Sequence, residues 1–170
     1  RVIYLPNGVN RPPDGLEGHD GGRPTMLLYT RFFEFDLNRL WRIVAGVRKR
    51  QPAARLFVVG GGFDREEESL LATARRAGWS VSETWPPDPD ADLVYAGWGT
   101  DETLPLSFSL VDVALYPFDD TLLNRTKCPV KLLDLQAAGI PVVADAVGQI
   151  AETIESGRTG LLVPPGDEQA

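Results

Sequence analysis

The sequence predicts an α/β domain: a parallel sheet covered by helices on both faces. Three observations carry that reading. Apolar runs and stretches of helical periodicity alternate along the chain. The apolar runs are continuous, without the in–out alternation of a sheet with one wet face. The helical stretches carry start and stop signals, which separates them from the strands between them.

Residues 2–5, VIYL, read as a short strand. A turn-rich loop of about twenty residues follows, a length uncommon inside a compact domain. It reads as a boundary or hinge, so residues 1–24 are expected to lead in from another domain and 25–170 to form this one. TMLLYT is a buried strand. Leu37, Leu40, Trp41, Val44 and Val47 then fall at helical spacing, with Asp36 as N-cap. RLFVVG is the next strand, and Asp64 with Glu67 has the form of a capping box opening a second helix. Glu66 to Glu68 in its first turn and Arg75–Arg76 in its last suit the helix dipole, and Gly78 closes it. WSVSE and DLVYAG read as short strands, TLPLSFSLV as a short helix, and DVALYP as a strand that stops at its proline. A further helix is bounded by Pro129 at its first position and Gly139 after its end. PVVA, GQIAETIES and GLLVP complete the pattern as strand, helix and strand.

The chain has 170 residues and a net charge of −7. That length supports one domain with a core, and the acidity argues against non-specific nucleic-acid binding. Cys128 is the only cysteine, so no intrachain disulfide forms. No run of about 18 apolar residues is present, and no signal-peptide pattern is visible. The start at Arg1, almost directly in a strand, leads to the expectation that the chain continues a longer polypeptide.

Ligands of open parallel sheets bind beyond the carboxyl ends of the strands. That directs attention to Thr30–Arg31, residues 60–62, 97–99, 117–128 and 145–148. Asp134 stands out because it lies inside an apolar helix, on one arc with Val130, Leu133 and Ala137. It is either an i,i+3 partner of Lys131, contributing about 0.2–0.5 kcal/mol, or an acceptor for two adjacent hydroxyls such as those of a ribose. Arg31 either offers a planar fork to a phosphate or pairs with Glu34 or Asp36. Gly61, in the middle of GGG, either brings backbone amides to a phosphate or makes a tight turn; neither a dinucleotide fingerprint nor a Walker motif is present. Trp98, between two glycines, either stacks on a base or packs at the rim. His19 and Cys128 lie far apart and give little support to a zinc site or a Cys–His pair. Asp119–Asp120 reads as a solvated turn.

YLPNGVN, LLYTR, LFVVGGG, VDVALYP, CPVKLLDLQAAGIPVVADAVG and ETIESGRTGLLVPPGD follow one another in an order that resembles group 1 glycosyltransferases. The resemblance covers essentially the whole chain and is to the carboxyl-terminal domain of such enzymes. It implies the GT-B architecture, in which two Rossmann-like domains face each other across a cleft. It also implies a nucleotide-diphospho-sugar as donor substrate, no cofactor and no metal. Partners would be the amino-terminal domain, which holds most catalytic residues, and an acceptor glycan or lipid-linked sugar. The protein would be cytoplasmic, or peripheral at the inner membrane face.

By the same resemblance Arg31 contacts the diphosphate and Asp134 holds the ribose hydroxyls. The helix start at 127–130 points amides toward the diphosphate, and Gly61, Trp98, Thr126, Lys127, Cys128 and Lys131 border the donor. The chain departs from the family pattern at two places. The E-x7-E motif reads Thr126 and Asp134, and the lysine that usually follows the arginine is absent from FFEFD. Lys127 and Lys131 are candidates to replace its charge. The expected function is the donor-binding half of a retaining glycosyltransferase. The alternatives are a sugar-nucleotide epimerase of the same shape and a non-catalytic partner protein.

Overall fold

The computed structural model describes residues 8, 9 and 22–169. The strand expected at 2–5, His19 and nearly all of the preceding loop lie outside the described residues. Seven strands form one sheet: β1 (Thr25–Thr30), β2 (Arg55–Gly60), β3 (Val81–Ser82), β4 (Leu93–Tyr95), β5 (Val113–Tyr116), β6 (Val142–Asp145) and β7 (Leu161–Val163). Six helices join them: α1 (Leu37–Arg50), α2 (Glu66–Arg76), α3 (Thr103–Phe108), α4 (Leu122–Thr126), α5 (Val130–Ala137) and α6 (Ile150–Thr153).

Every pairing is parallel, in the order β3-β4-β2-β1-β5-β6-β7. From β1 the chain works outward through β2 to the β3–β4 edge, then returns to lay β5 on the other side of β1. The strand order reverses between β1 and β5, and a crevice opens at the carboxyl ends of such a pair.

Alternate side chains of each strand feed two cores, as a doubly covered sheet requires. Leu27, Phe57, Val59 and Val94 pack with Leu132 and Leu135 of α5 and Ile150 of α6. Met26, Leu28, Leu56 and Val58 pack on the opposite face with Leu40 and Val44 of α1 and Leu70 and Ala74 of α2. β1 and β2 run in register from Thr25–Arg55 to Thr30–Gly60. At that last pair Gly60 has φ +115°, and a Cβ there would lie 1.9 Å from the Thr30 carbonyl oxygen. Only glycine fits this closure of the two strand ends.

Several local expectations are corrected. The Asp64–Glu67 capping box does not form: Arg65 takes the N-cap position in left-handed backbone, with no side-chain cap. Instead Glu67 accepts the Gly62 amide at 2.9 Å and Glu66 the Asp64 amide at 3.0 Å. Pro129 is the N-cap of α5 rather than its first residue. The helix α4 was not anticipated; it is five residues long and leaves Leu122 and Leu123 exposed, so it has no amphipathic pattern to read.

Neither of the loops that follow β1 and β5 lies bare to solvent. Instead Phe32, Glu34, Phe35, Phe118 and Asn124 are buried. The two loops are sewn together. Asn124 Nδ2 donates to the carbonyls of Glu34 (2.7 Å) and Asp119 (2.8 Å), and the Asp119 amide donates to the Glu34 carbonyl at 2.9 Å. Asp119 is not a solvated turn residue: its carboxylate accepts from the Asp36 amide at 2.7 Å and from Arg39 at 3.2 Å. Arg39 also reaches Asp145 at 2.6 Å, and Asp145 accepts the amides of Phe118 and Gly166. This buried junction fixes the floor beside the crevice.

Candidate functional site

Tyr29 is the last side chain of β1 on the α5 face, and Arg31 leaves the strand two residues later. Arg31 pairs with neither Glu34 nor Asp36. Its guanidinium lies 4.5 Å from the Trp98 ring centre and 5.5 Å from that of Phe63. Trp98 and Phe63 are exposed, and Phe33 stands 5.6 Å from Phe63, so the arginine rests on an aromatic wall at the solvent edge. The Asp36 carboxylate instead caps α1 through the Arg39 amide at 2.8 Å.

The helix α5 brings the other charges. Among the described residues no hydrogen bond or ion pair engages the Asp134 carboxylate; Lys131, one turn before it, does not close a salt bridge to it. Burial pushes the Asp134 carboxyl up, with Lys131 pulling it part of the way back. Burial and the Asp134 charge push the Tyr29 phenol up, while Arg31 opposes them. Tyr29, Arg31 and Asp134 therefore share one electrostatic neighbourhood at the β1–β5 crevice. Lys131 lies over the Tyr29 ring at 5.4 Å. Burial holds its ammonium below the usual lysine range; Glu34 works against that, and Arg31 and Lys127 add repulsion in the same direction as burial.

Lys127 is differently placed. Its ammonium donates to Glu34 Oε1 at 3.1 Å and lies over the rings of Phe33 at 4.0 Å and Phe118 at 5.0 Å. Glu34, buried at the head of α1, takes a second bond from the Thr30 hydroxyl at 3.1 Å. Sequence reading named Glu34 only as a possible partner of Arg31 and missed its burial. The signal was present as a single glutamate within the aromatic run FFEF, where an acidic side chain needs a cation brought from elsewhere.

Gly61 passes under Trp98; a Cβ there would lie 3.1 Å from the indole nitrogen. Phosphate binding by the neighbouring amides of Gly62 and Asp64 is pre-empted by the carboxylates of Glu67 and Glu66. Trp98 gives one of its faces to Arg31. Thr126 turns its hydroxyl back to the carbonyls of Leu122 and Leu123, at 3.1 and 3.0 Å. Cys128 is half-buried and in no disulfide. No side chain caps the start of α5, but the amides expected at 127–130 to face a diphosphate are mostly taken: the backbone N–H of Lys127 donates to the Asn124 carbonyl and that of Val130 to the Cys128 carbonyl, and Pro129 has none to give. Fork and carboxylate thus converge on one crevice, an arrangement able to grip an anionic ligand that also carries neighbouring hydroxyls.

The chain is 30% identical over 94% of its length to the GDP-mannose-dependent alpha-(1-6)-phosphatidylinositol monomannoside mannosyltransferase of Mycobacterium tuberculosis, of which it covers 42%. It is 28% identical over 71% of its length to the D-inositol 3-phosphate glycosyltransferase of Segniliparus rotundus. Among solved structures it superposes on the lipopolysaccharide outer core galactosyltransferase WaaB with TM-score 0.65 and 20% identity, covering 99% of this chain and 43% of that one. Anabaena Alr3699/HepE in complex with UDP and glucose matches at TM-score 0.65 and 17% identity, over 99% of this chain and 44% of that one. The chain thus spans less than half the length of these relatives. The family model for glycosyl transferases group 1 matches residues 23–170, and the chain belongs to that family.

Proposed function

We propose that residues 25–170 form the nucleotide-sugar-binding domain of a retaining glycosyltransferase, with residues 1–24 leading in from an amino-terminal domain that completes a GT-B cleft. The observation that carries this reading is the pair Arg31 and Asp134. Both are charged, both lie at the β1–β5 crevice, and neither meets an opposite charge at ion-pair distance among the described residues. Asp134 accepts two vicinal ribose hydroxyls, replacing the solvation it lacks with hydrogen bonds to a charged group, each contributing about 1.5–3 kcal/mol. Arg31, preordered on Trp98, presents its free edge to the diphosphate, where a planar fork suits phosphate oxygens.

The chemistry is transfer of a sugar from the nucleotide diphosphate to a hydroxyl acceptor, with the anomeric configuration kept. This domain holds and stabilises the departing diphosphate, and the opposing domain supplies the acceptor and excludes water. Support for a nucleotide-sugar comes from the mycobacterial relative, named as GDP-mannose-dependent, and from HepE, solved with UDP and glucose. An acceptor glycan or lipid-linked sugar fits the lipid-glycosylating relative. No helix among the described residues is long and apolar enough to cross a membrane.

A second reading, a non-catalytic partner that kept the fold, is favoured by Thr126. It stands where the family carries a glutamate, and it spends its hydroxyl on its own helix. Assay of the full-length protein against UDP-, GDP- and dTDP-sugars with lipid-linked and free-sugar acceptors separates the two. A glycosylated product with retained configuration supports the transferase. No donor binding and no product across the panel supports the partner protein, and nucleotide release alone points to hydrolysis or epimerisation.

A further inference from the structure

The two lysines flanking the start of α5 look interchangeable in the sequence, and the structure separates them. Glu34 has a side chain only 6% exposed, and both its oxygens are engaged, Oε1 by Lys127 and Oε2 by the Thr30 hydroxyl. Lys127 is further held over the faces of Phe33 and Phe118. A buried carboxylate of this kind keeps its cation, because removing one partner leaves the other charge desolvated and unpaired. Lys131 has no such partner. It is half-buried, it lies over Tyr29, and among the described residues its ammonium donates to no carboxylate. The charges that act on it are Glu34, already claimed, together with Arg31, Lys127 and Asp134.

Resting on the donor-binding reading above, we infer that Lys127 is the fixed counter-ion of Glu34, and that Lys131 is the second cation, beside Arg31, that binds the diphosphate. Two unpaired cations held near each other repel, and burial removes part of the water that would screen them. A ligand with two or more negative charges relieves both penalties together. The position along α5 also fits. Lys131 and Asp134 are separated by three residues, about 4.5 Å of helix rise, so one face of one helix offers a carboxylate to the ribose and an ammonium to the phosphates. Arg31 then approaches the same phosphates from β1. The cation that the FFEFD segment lacks is in this way supplied from the opposite wall of the crevice.

Isothermal titration of UDP, GDP and inorganic pyrophosphate into the full-length protein tests this, with thermal melting of each variant. Lys131→Met is expected to weaken the nucleotide that the wild type binds by about tenfold or more, the loss of one charge-assisted contact. Lys131→Arg, which keeps the charge, is expected to retain affinity within a few-fold. Melting separates the lysines: Lys127→Met lowers the transition because it strands Glu34, whereas Lys131→Met leaves it unchanged or higher. Wild-type affinity in Lys131→Met overturns the inference and leaves the donor-binding reading intact. A selective loss of nucleotide in Lys127→Met with an unchanged melting transition also overturns it, since the roles would be reversed. If the wild type binds neither nucleotide nor pyrophosphate, both readings fall together.

Discussion

Asp145 and Asp134 stand at the same end of the sheet and are treated in opposite ways. Asp145 is 2% exposed and accepts three hydrogen bonds, from Arg39 at 2.6 Å, the Phe118 amide at 2.8 Å and the Gly166 amide at 3.1 Å. Asp134 is half-buried and accepts none among the described residues. One carboxylate has its bonding capacity filled from within the fold and ties the ends of β5 and β6 and the segment after β7 to α1. The other has an unfilled capacity that the fold tolerates. On the function proposed above, the filled carboxylate is architecture and the unfilled one is where the hydroxyls of a ligand bind.

The sharpest way to break that contrast is at Asp145. Asp145→Ala leaves Arg39 only its longer contact with Asp119 and strands two amides in a buried setting, and a loss of about 3–5 kcal/mol is expected in urea unfolding. A loss below about 1 kcal/mol would mean that the junction is not structural, and the contrast would fail.

Asp92 extends the comparison to the amino end of the sheet. It accepts from Arg23, Arg48 and Ser80, and these contacts hold its carboxyl down at about 2, against an ordinary 3.8. A folded value below the unfolded one stabilises the protein above the unfolded value. That stabilisation is lost as pH falls from 3.8 toward about 2. Asp92→Asn is therefore expected to cost about 2 kcal/mol at neutral pH and to flatten the acid limb of the stability profile across that window.

Asp134 should slope the other way. Its folded value is raised, so its ionised form carries a penalty at neutral pH that is relieved as the group protonates on acidification. Asp134→Asn is expected to leave stability unchanged or slightly higher, within about 1 kcal/mol, and to weaken nucleotide binding by about 1–3 kcal/mol. Binding by the wild type should also weaken on acidification, beginning above pH 3.8 as the carboxylate is lost. Calorimetric titration over pH 4–8 checks both. A clear loss of stability with unchanged binding would make Asp134 a structural residue.

The smallest effect is expected at Thr126. Its hydroxyl bonds only to carbonyls of its own exposed helix, and Thr126→Ala should change stability by less than about 0.5 kcal/mol. A larger change by thermal melting would show that α4 carries more of the crevice wall than its exposure suggests.

Much of this architecture was legible because the core is written in local patterns. TMLLYT and RLFVVG became β1 and β2 with the boundaries read from the sequence, and Asp36 caps α1 as its spacing required. The errors lie where a tertiary contact overrode a local signal. Glu67 left its capping role because the turn through Gly62 offered it an amide. Glu34 became buried and Asp119 half-buried, although both are polar residues in loops, because each loop supplied the other's partners. Arg31 and Asp134 were legible as candidates, but sequence alone leaves each with a plausible salt-bridge partner. That Arg31 closes neither of its bridges follows from the three-dimensional placement of Glu34, which takes Lys127, and of Asp36, which caps a helix; Lys131 lies over the Tyr29 ring and closes no bridge to Asp134.

The seat of Arg31 on Trp98 has an optical consequence. The chain has four tryptophans. Trp41 and Trp79 pack on each other 4.8 Å apart beside α1, and Trp85 lies in the loop before β4, so Trp98 is the indole that Arg31 touches. A phosphate bound at the free edge of the guanidinium alters the charge above that ring, and its emission should shift in intensity or wavelength. On the function proposed above, the domain carries an intrinsic fluorescence reporter at its own crevice, silenced selectively by Trp98→Phe, through which the arrival of a donor is timed without a label.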